Sequence, residues 1–271
     1  MIEIEKLKNK ARWVRDETLK LHSLLPEVRV ASCLSDIEIF VALYYGDILK
    51  YDATQPRYPD RDRFVISKGH GAVSLYPILA DLGFFDSNEL TKIGMPESML
   101  VAIPDSTIPG FEMTNGSLGH GLGTACGIAL GLRARGGKQN VYVLCGDGEL
   151  NEGSVWEAVM LASFQKLSNL ILIVDNNKIS MLGYQKDILD LEPLSTKFEA
   201  FNWQSRTVDG HNLSEIYDAL NDFKHDKSNR PKVLIADTVK GNGVADLCGD
   251  PLCHVRSLNS DVISGLIASN K

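Results

Sequence analysis

The chain has 271 residues, 44% of them apolar and 23% charged, with a net charge of −7. That length and balance predict a single domain over residues 1–271 with a sizeable core, and exclude a disordered chain. The acidic balance leaves no basic footprint for nucleic acid. No apolar run approaches the roughly 20 residues that span a bilayer.

The opening stretch, MIEIEKLKNK, is charged and lacks the apolar region of a secretion signal, which predicts a cytoplasmic location. Ile4, Leu7, Ala11, Val14 and Leu21 recur at helical spacing over 3–22, and Pro26 closes that helix. Ser35 and Glu38 form a capping-box pattern ahead of Ile39, Val41 and Leu43, so a second helix is predicted over about 35–45. Residues 51–63, rich in Pro, Asp and Arg, read as a surface loop. A short buried strand over 63–67 leads into Lys68-Gly69-His70-Gly71, and a helix over 72–82 stops at Gly83. Residues 91–118 show little periodicity and read as a long irregular segment, a kind that is often functional. Gly116-Ser117-Leu118-Gly119-His120-Gly121-Leu122-Gly123 then opens a small-residue helix that runs to Ala134.

An apolar run, Val141–Cys145, ends in Gly146-Asp147-Gly148. A helix-like segment follows, and a second apolar run, Leu170–Val174, ends in Asp175-Asn176-Asn177. Beyond it come a loop with short helical turns over 181–203, a strand at 206–208 and a helix over 213–223. The last strand, 231–239, ends in Lys240-Gly241-Asn242-Gly243, and the tail holds a short helix near 261–268. This alternation predicts an α/β fold, a parallel sheet flanked by helices.

The five cysteines are an odd number and favour a reducing compartment. Cys33, Cys126 and Cys145 sit among apolar or small residues and read as buried thiols. Cys248, Cys253 and His254 are too few for a structural zinc site.

In an open α/β sheet, ligands bind outside the carboxyl ends of the strands. Asp147 and Asn177 stand at two such ends, and two hard oxygen ligands suit Mg²⁺ or Ca²⁺. The glycines of 116–123 serve either to bare backbone N–H groups to a phosphate or to allow close packing. Glu152 is either a helix N-terminal carboxylate favoured by the macrodipole or a residue at a subunit contact.

Gly146-Asp147-Gly148, then 27 residues, then Asn176-Asn177 resembles the thiamine diphosphate signature. Ser67-Lys68-Gly69-His70 resembles the SKGH segment of transketolases. Pro109-Gly110-Phe111-Glu112 and Gly116–Gly121 are similar to that family's PGxE and GSLGxG segments, and Lys240–Gly243 with His254 to its late loop. These motifs follow the family's order along nearly the whole chain. The resemblance implies thiamine diphosphate bound with Mg²⁺ or Ca²⁺. The cation would be held by the Asp147 carboxylate, the Asn177 amide oxygen and the Ile179 carbonyl. It places cofactor contacts at Gly116, Leu118, His120, Gly146, Gly148, Glu149 and His254, and names His70 and His254 as catalytic. It implies transfer of a two-carbon ketol unit from a ketose to an aldehyde.

A full transketolase has three domains, and this chain has room for the first. The resemblance therefore implies the N-terminal subunit of a split transketolase, in an α2β2 assembly. Its C-terminal subunit would supply the pyrimidine-binding domain and the Glu that activates the cofactor. Two departures stand out. Arg29 occupies the place of a family histidine in Val28–Ser35, and Ile103 another in Val101–Asp105. Both belong to the sugar side, which implies a retained cofactor mechanism with an altered, non-standard sugar. Arg29 can pair with a carboxylate or phosphate on that sugar, or be a solvated residue or a subunit contact. The competing functions are a thiamine-dependent 2-oxo acid decarboxylase or carboligase component, and a non-catalytic regulatory homologue.

Overall fold

The computed structural model describes residues 3–114 and 116–269. Helix α1 (Ile4–Leu24) buries Leu7, Ala11, Val14 and Leu21, the stripe its spacing predicts. The helix expected over about 35–45 is α3 (Ile37–Tyr45), and a further short helix, α2 (Val30–Ser35), precedes it. Ser35 caps neither of them. Its hydroxyl donates to the Ser32 carbonyl and, at 2.8 Å, to Asp175 Oδ2. Glu38 is likewise drawn away, accepting from Arg15 at 2.8 Å and facing His211 Nδ1 at 3.1 Å. Tertiary bonds outweigh the local cap that the sequence pattern offers.

Strand β1 (Arg63–Ile66) runs into a 3₁₀ turn, Gly69–Ser74, and then α4 (Leu75–Asp81), with Gly83 in the left-handed region just beyond. The helix expected over 72–82 thus starts as a tighter coil at the motif itself. After the irregular segment come α5 (Gly121–Ala134), β2 (Val141–Gly146), α6 (Gly153–Phe164) and β3 (Leu170–Asn176). The second half holds α7 (Gln185–Ile188), α8 (Leu194–Ala200), β4 (Gln204–Asp209), α9 (Leu213–His225), β5 (Lys232–Asp237) and α10 (Ser260–Ser269). Residues 270 and 271 of the expected tail lie outside the described residues.

The described residues form one sheet of five strands, all parallel, in the order β1-β2-β3-β5-β4. Alternate strand residues face opposite layers. Val141, Val143, Cys145, Leu170, Leu172 and Val174 pack with α5 and α6. Tyr142, Leu144, Ile171 and Ile173 pack with α1, α3, α4 and α9. With both faces covered, β2 and β3 are buried at every position, which is why they read as continuous apolar runs. Each such Val, Leu or Ile contributes about 1.5–3 kcal/mol on burial. The parallel arrangement brings the carboxyl ends of β1, β2, β3 and β5 to one edge. There the chain continues as Ser67-Lys68, Asp147, Asn177 and Thr238.

Candidate active site

Beneath that edge lies a fully buried ion cluster. Lys68 Nζ donates to Asp36 at 2.9–3.1 Å and to Asp175, and all three side chains are shielded from solvent. Asp175 also accepts from Ser35, Thr238 and, at 2.8 Å, Asn177 Nδ2. Burial disfavours charge on Lys68, yet Asp175 and Asp36 hold its pKa above the usual lysine value. Burial also opposes ionisation of Asp175, but Lys68 and the hydroxyls of Thr238 and Ser35 hold it below the usual carboxylate range. Asp36 moves the other way, raised by burial and by the Asp175 charge. The cluster therefore ionises as Lys68 with Asp175, and Asp36 favours its proton.

Above it, Asp147 caps the turn after β2. Its Oδ1 accepts from the Gly148 N–H at 2.7 Å and its Oδ2 from the Lys178 N–H at 2.5 Å. Lys178 can offer that N–H because its backbone is left-handed, with φ +66°. Burial and the Asp175 charge raise the Asp147 pKa to about 6. The Asn177 amide oxygen accepts from the Ile179 N–H at 3.1 Å. The Ile179 carbonyl accepts from Lys240 Nζ at 2.9 Å. Burial and the nearby Lys68 lower Lys240 to about 8.

The glycine-rich turn is fastened by Glu149. Its carboxylate accepts from Ser67 Oγ, the Gly119 N–H at 2.8 Å and the Gly146 N–H at 3.2 Å. That side chain is committed within the protein. Gly121 approaches Ser67 so closely that an added Cβ would sit 2.4 Å from the Ser67 Oγ. Close packing is thus served by this turn, whose Gly119 and Gly121 N–H groups are bonded to Glu149 and Ser67 within the protein.

His70 and His254 meet across the same edge, with ring centroids 5.1 Å apart. His254 Nδ1 lies 3.3 Å from Ser32 Oγ. Burial, then Lys240, Arg29 and Lys68, push His254 down to about 3. Burial, then Lys68 and His254, hold His70 well below the usual histidine value. Both rings are neutral at physiological pH. Arg29 is exposed, and among the described residues its guanidinium has no hydrogen bond or ion pair.

A cleft of about 620 Å³ opens here. Its wall includes Arg29, His70, Gly116, Leu118, Gly146, Asp147, Gly148, Glu149, Glu152, Asn177, Ile179 and His254, and so gathers all but one of the residues singled out from the sequence. His120 is the exception: it caps α5 with an exposed ring whose Nδ1 lies 3.0 Å from the Leu118 carbonyl. Glu152 is an exposed N-cap of α6 without a side-chain cap bond. Ile103 stands at the rim, 45% exposed. A larger hollow of about 1090 Å³, beside Asp62 and Asn140 at the start of β1 and β2, holds none of these residues. Sequence pattern gave no role to Lys68, Asp175 or Lys240. Their signal was present, since each lies inside a quoted motif.

The chain matches the family model of the transketolase thiamine diphosphate binding domain over residues 31–268. It is 36% identical over 263 residues to the 6-deoxy-6-sulfo-D-fructose transketolase subunit of Clostridium sp. (strain MSTE9), which covers 97% of this chain and 95% of that one. It is also 36% identical over 264 residues to an apulose-4-phosphate transketolase subunit of Actinobacillus succinogenes, with 97% and 95% covered. The crystal structure of transketolase from Campylobacter jejuni superposes with a TM-score of 0.83 at 30% identity, over 95% of this chain and 43% of that chain. This chain thus spans less than half of that transketolase but nearly all of the two separate subunits. It belongs to the transketolase family, as a thiamine diphosphate-binding N-terminal subunit of the split type. It is a transferase component that works with a partner subunit, and its cofactor is thiamine diphosphate with Mg²⁺ or Ca²⁺.

The residues in the cleft fit that group. Asp147, Asn177 and Ile179 offer a carboxylate, an amide oxygen and a carbonyl, all hard donors and all buried. Each oxygen accepts one protein hydrogen bond and retains further acceptor capacity. Among the described residues no group of three or more His, Cys, Asp or Glu is placed to hold a metal alone. No helix among the described residues is long and apolar enough to cross a membrane.

Proposed function

We propose that this chain, joined to a C-terminal subunit carrying the pyrimidine-binding domain, transfers a two-carbon ketol unit from a ketose to an aldehyde. One observation carries the reading. A single cleft at the carboxyl edge of the sheet holds three oxygen donors for a cation–diphosphate, two neutral histidines and a guanidinium without a partner among the described residues. Asp147, Asn177 and Ile179 bind the cation. Lys240 and the turn at Gly116 and Leu118 hold the diphosphate, while Gly146 and Gly148, whose N–H groups are taken by Glu149 and Asp147, let the cofactor lie close to the backbone. The bound cofactor supplies the electron sink that lets the ketose C2–C3 bond break. His70 and His254, being neutral, each offer one donor and one acceptor nitrogen. They hold sugar hydroxyls and move protons between them.

Arg29 holds an anionic group on the sugar. The two subunit relatives are named for sugars bearing a sulfonate or a phosphate, which supports a non-standard anionic sugar here. Glu152, exposed at the rim, meets the partner subunit in an α2β2 assembly. All five thiols are free, which supports a cytoplasmic location. The test is a pair of assays on the chain reconstituted with its partner, thiamine diphosphate and Mg²⁺. Ketol transfer shortens the ketose by two carbons and extends the aldehyde by two. Pyruvate consumption with release of CO₂, and no ketol transfer, would make it a 2-oxo acid enzyme instead.

A further inference from the structure

The Asn177 amide has two orientations of nearly equal shape, and only one presents oxygen to a cation. We infer that Asp175 is a positioning residue for the cation site, fixing the Asn177 amide with its nitrogen inward and its oxygen toward the cleft. This rests on the site reading above, in which Asn177 is a ligand.

Asn177 Nδ2 donates to Asp175 Oδ2 at 2.8 Å, while Asn177 Oδ1 accepts from the Ile179 N–H at 3.1 Å. A reversed amide would set oxygen against a carboxylate and nitrogen against an N–H. Both contacts then become repulsive, and a buried donor and acceptor lose their partners. Asp175 enforces this because it is itself immobile. It accepts from Lys68, Ser35 and Thr238, is fully buried and extends from the end of β3. Lys68 and Asp36 lie below it, so one buried ion cluster both joins the strand ends and orients a ligand two residues on. An aspartate suits this position because an ionised carboxylate only accepts hydrogen bonds. An asparagine there can donate as well, and so tolerates either amide orientation. Residues that hydrogen-bond to a metal ligand and orient it typically carry about 10- to 100-fold of metal affinity.

The test is calorimetric Mg²⁺ affinity, at saturating thiamine diphosphate, of the full chain reconstituted with its partner. Asp175→Asn is expected to weaken Mg²⁺ binding about 10- to 100-fold. Adding Asn177→Asp to that variant is expected to recover most of the loss, since a carboxylate has no wrong face. A merely structural role for Asp175 would not be rescued this way. Thr238→Val removes one bond to Asp175 with little change of volume, and is expected to weaken Mg²⁺ binding by a smaller factor. It decides the matter if Asp175→Asn fails to fold, as judged by circular dichroism. A folded Asp175→Asn with wild-type Mg²⁺ affinity, a loss that Asn177→Asp does not recover, or an unchanged Thr238→Val when it stands alone would overturn the inference. Absence of Mg²⁺-dependent binding in the wild-type complex would instead overturn the site reading, and this inference with it.

Discussion

The imidazoles of His70 and His254 meet edge to face in the wall of the cleft, with centroids 5.1 Å apart. Such a pair is favourable between neutral rings, where a positive edge meets a negative face. Two cationic rings at that distance would repel.

The neutrality of His254 has a consequence for stability. Its folded pKa is depressed from 6.5 to about 3, first by burial and then by Lys240, Arg29 and Lys68. Between those values the unfolded chain binds a proton that the folded chain refuses. Stability is thus complete above about pH 6.5 and falls as pH drops toward 3. His254→Gln removes this contribution. Denaturation midpoints followed from about pH 7.5 to about 4.5 are expected to fall less steeply in the variant. Parallel curves would contradict the assignment.

Lys68 neutralises a buried carboxylate that has no water to turn to. Lys68→Met leaves Asp175 uncompensated, and breaking a buried ion pair by deleting one partner costs about 3–5 kcal/mol. Urea denaturation should show a lowered midpoint at unchanged slope. A loss below about 1 kcal/mol, the scale of an exposed pair, would show that the cluster contributes nothing beyond a surface contact.

Two glycines of α5 separate close approach from mere composition. A Cβ at Gly121 would lie 2.4 Å from the Ser67 Oγ and 2.9 Å from its Cα, so Gly121→Ala must push the turn off β1. Overpacking of this kind costs about 1–3 kcal/mol. A Cβ at Gly123 meets nothing within 4 Å, so Gly123→Ala is expected to be stabilising by up to about 1 kcal/mol in the separate chain. Equal effects of the two changes in thermal melts would refute the packing argument.

Arg29 tests the substrate side. Hydrogen bonds to charged groups contribute about 1.5–3 kcal/mol, so Arg29→Ala should raise KM for the anionic sugar about 10- to 100-fold. Turnover at saturation should change far less, because Arg29 holds the sugar and not the reacting bond. Steady-state kinetics of the reconstituted enzyme on its true substrate would show this. An unchanged KM removes Arg29 from substrate recognition.

Much of the sheet was legible because β2 and β3 are covered on both faces and therefore read as unbroken apolar runs. The positions of Asp147 and Asn177 followed, since they are simply the next residues at the strand ends. What was not legible depended on partners distant in the chain. Ser35 read as a helix cap, but its hydroxyl reaches Asp175, 140 positions away. Lys68 sat in a recognised motif, yet its role is set by Asp36 and Asp175, brought to it by packing from the start of α3 and the end of β3. The ring of His120 could be placed only by the fold. Its position ahead of α5 leaves it at the helix cap, outside the cleft. Local pattern thus identified which residues stand at a strand end, whereas the choice between inward and outward faces was tertiary.

The central claim is that this cleft holds the cofactor through a cation bound to Asp147. Titration calorimetry of thiamine diphosphate into the complex with the partner subunit, with and without Mg²⁺, tests it most directly. Binding is predicted to need the divalent cation and to be weakened by Asp147→Ala at least about 10-fold. No binding by the wild-type complex, or undiminished binding by Asp147→Ala, would contradict it.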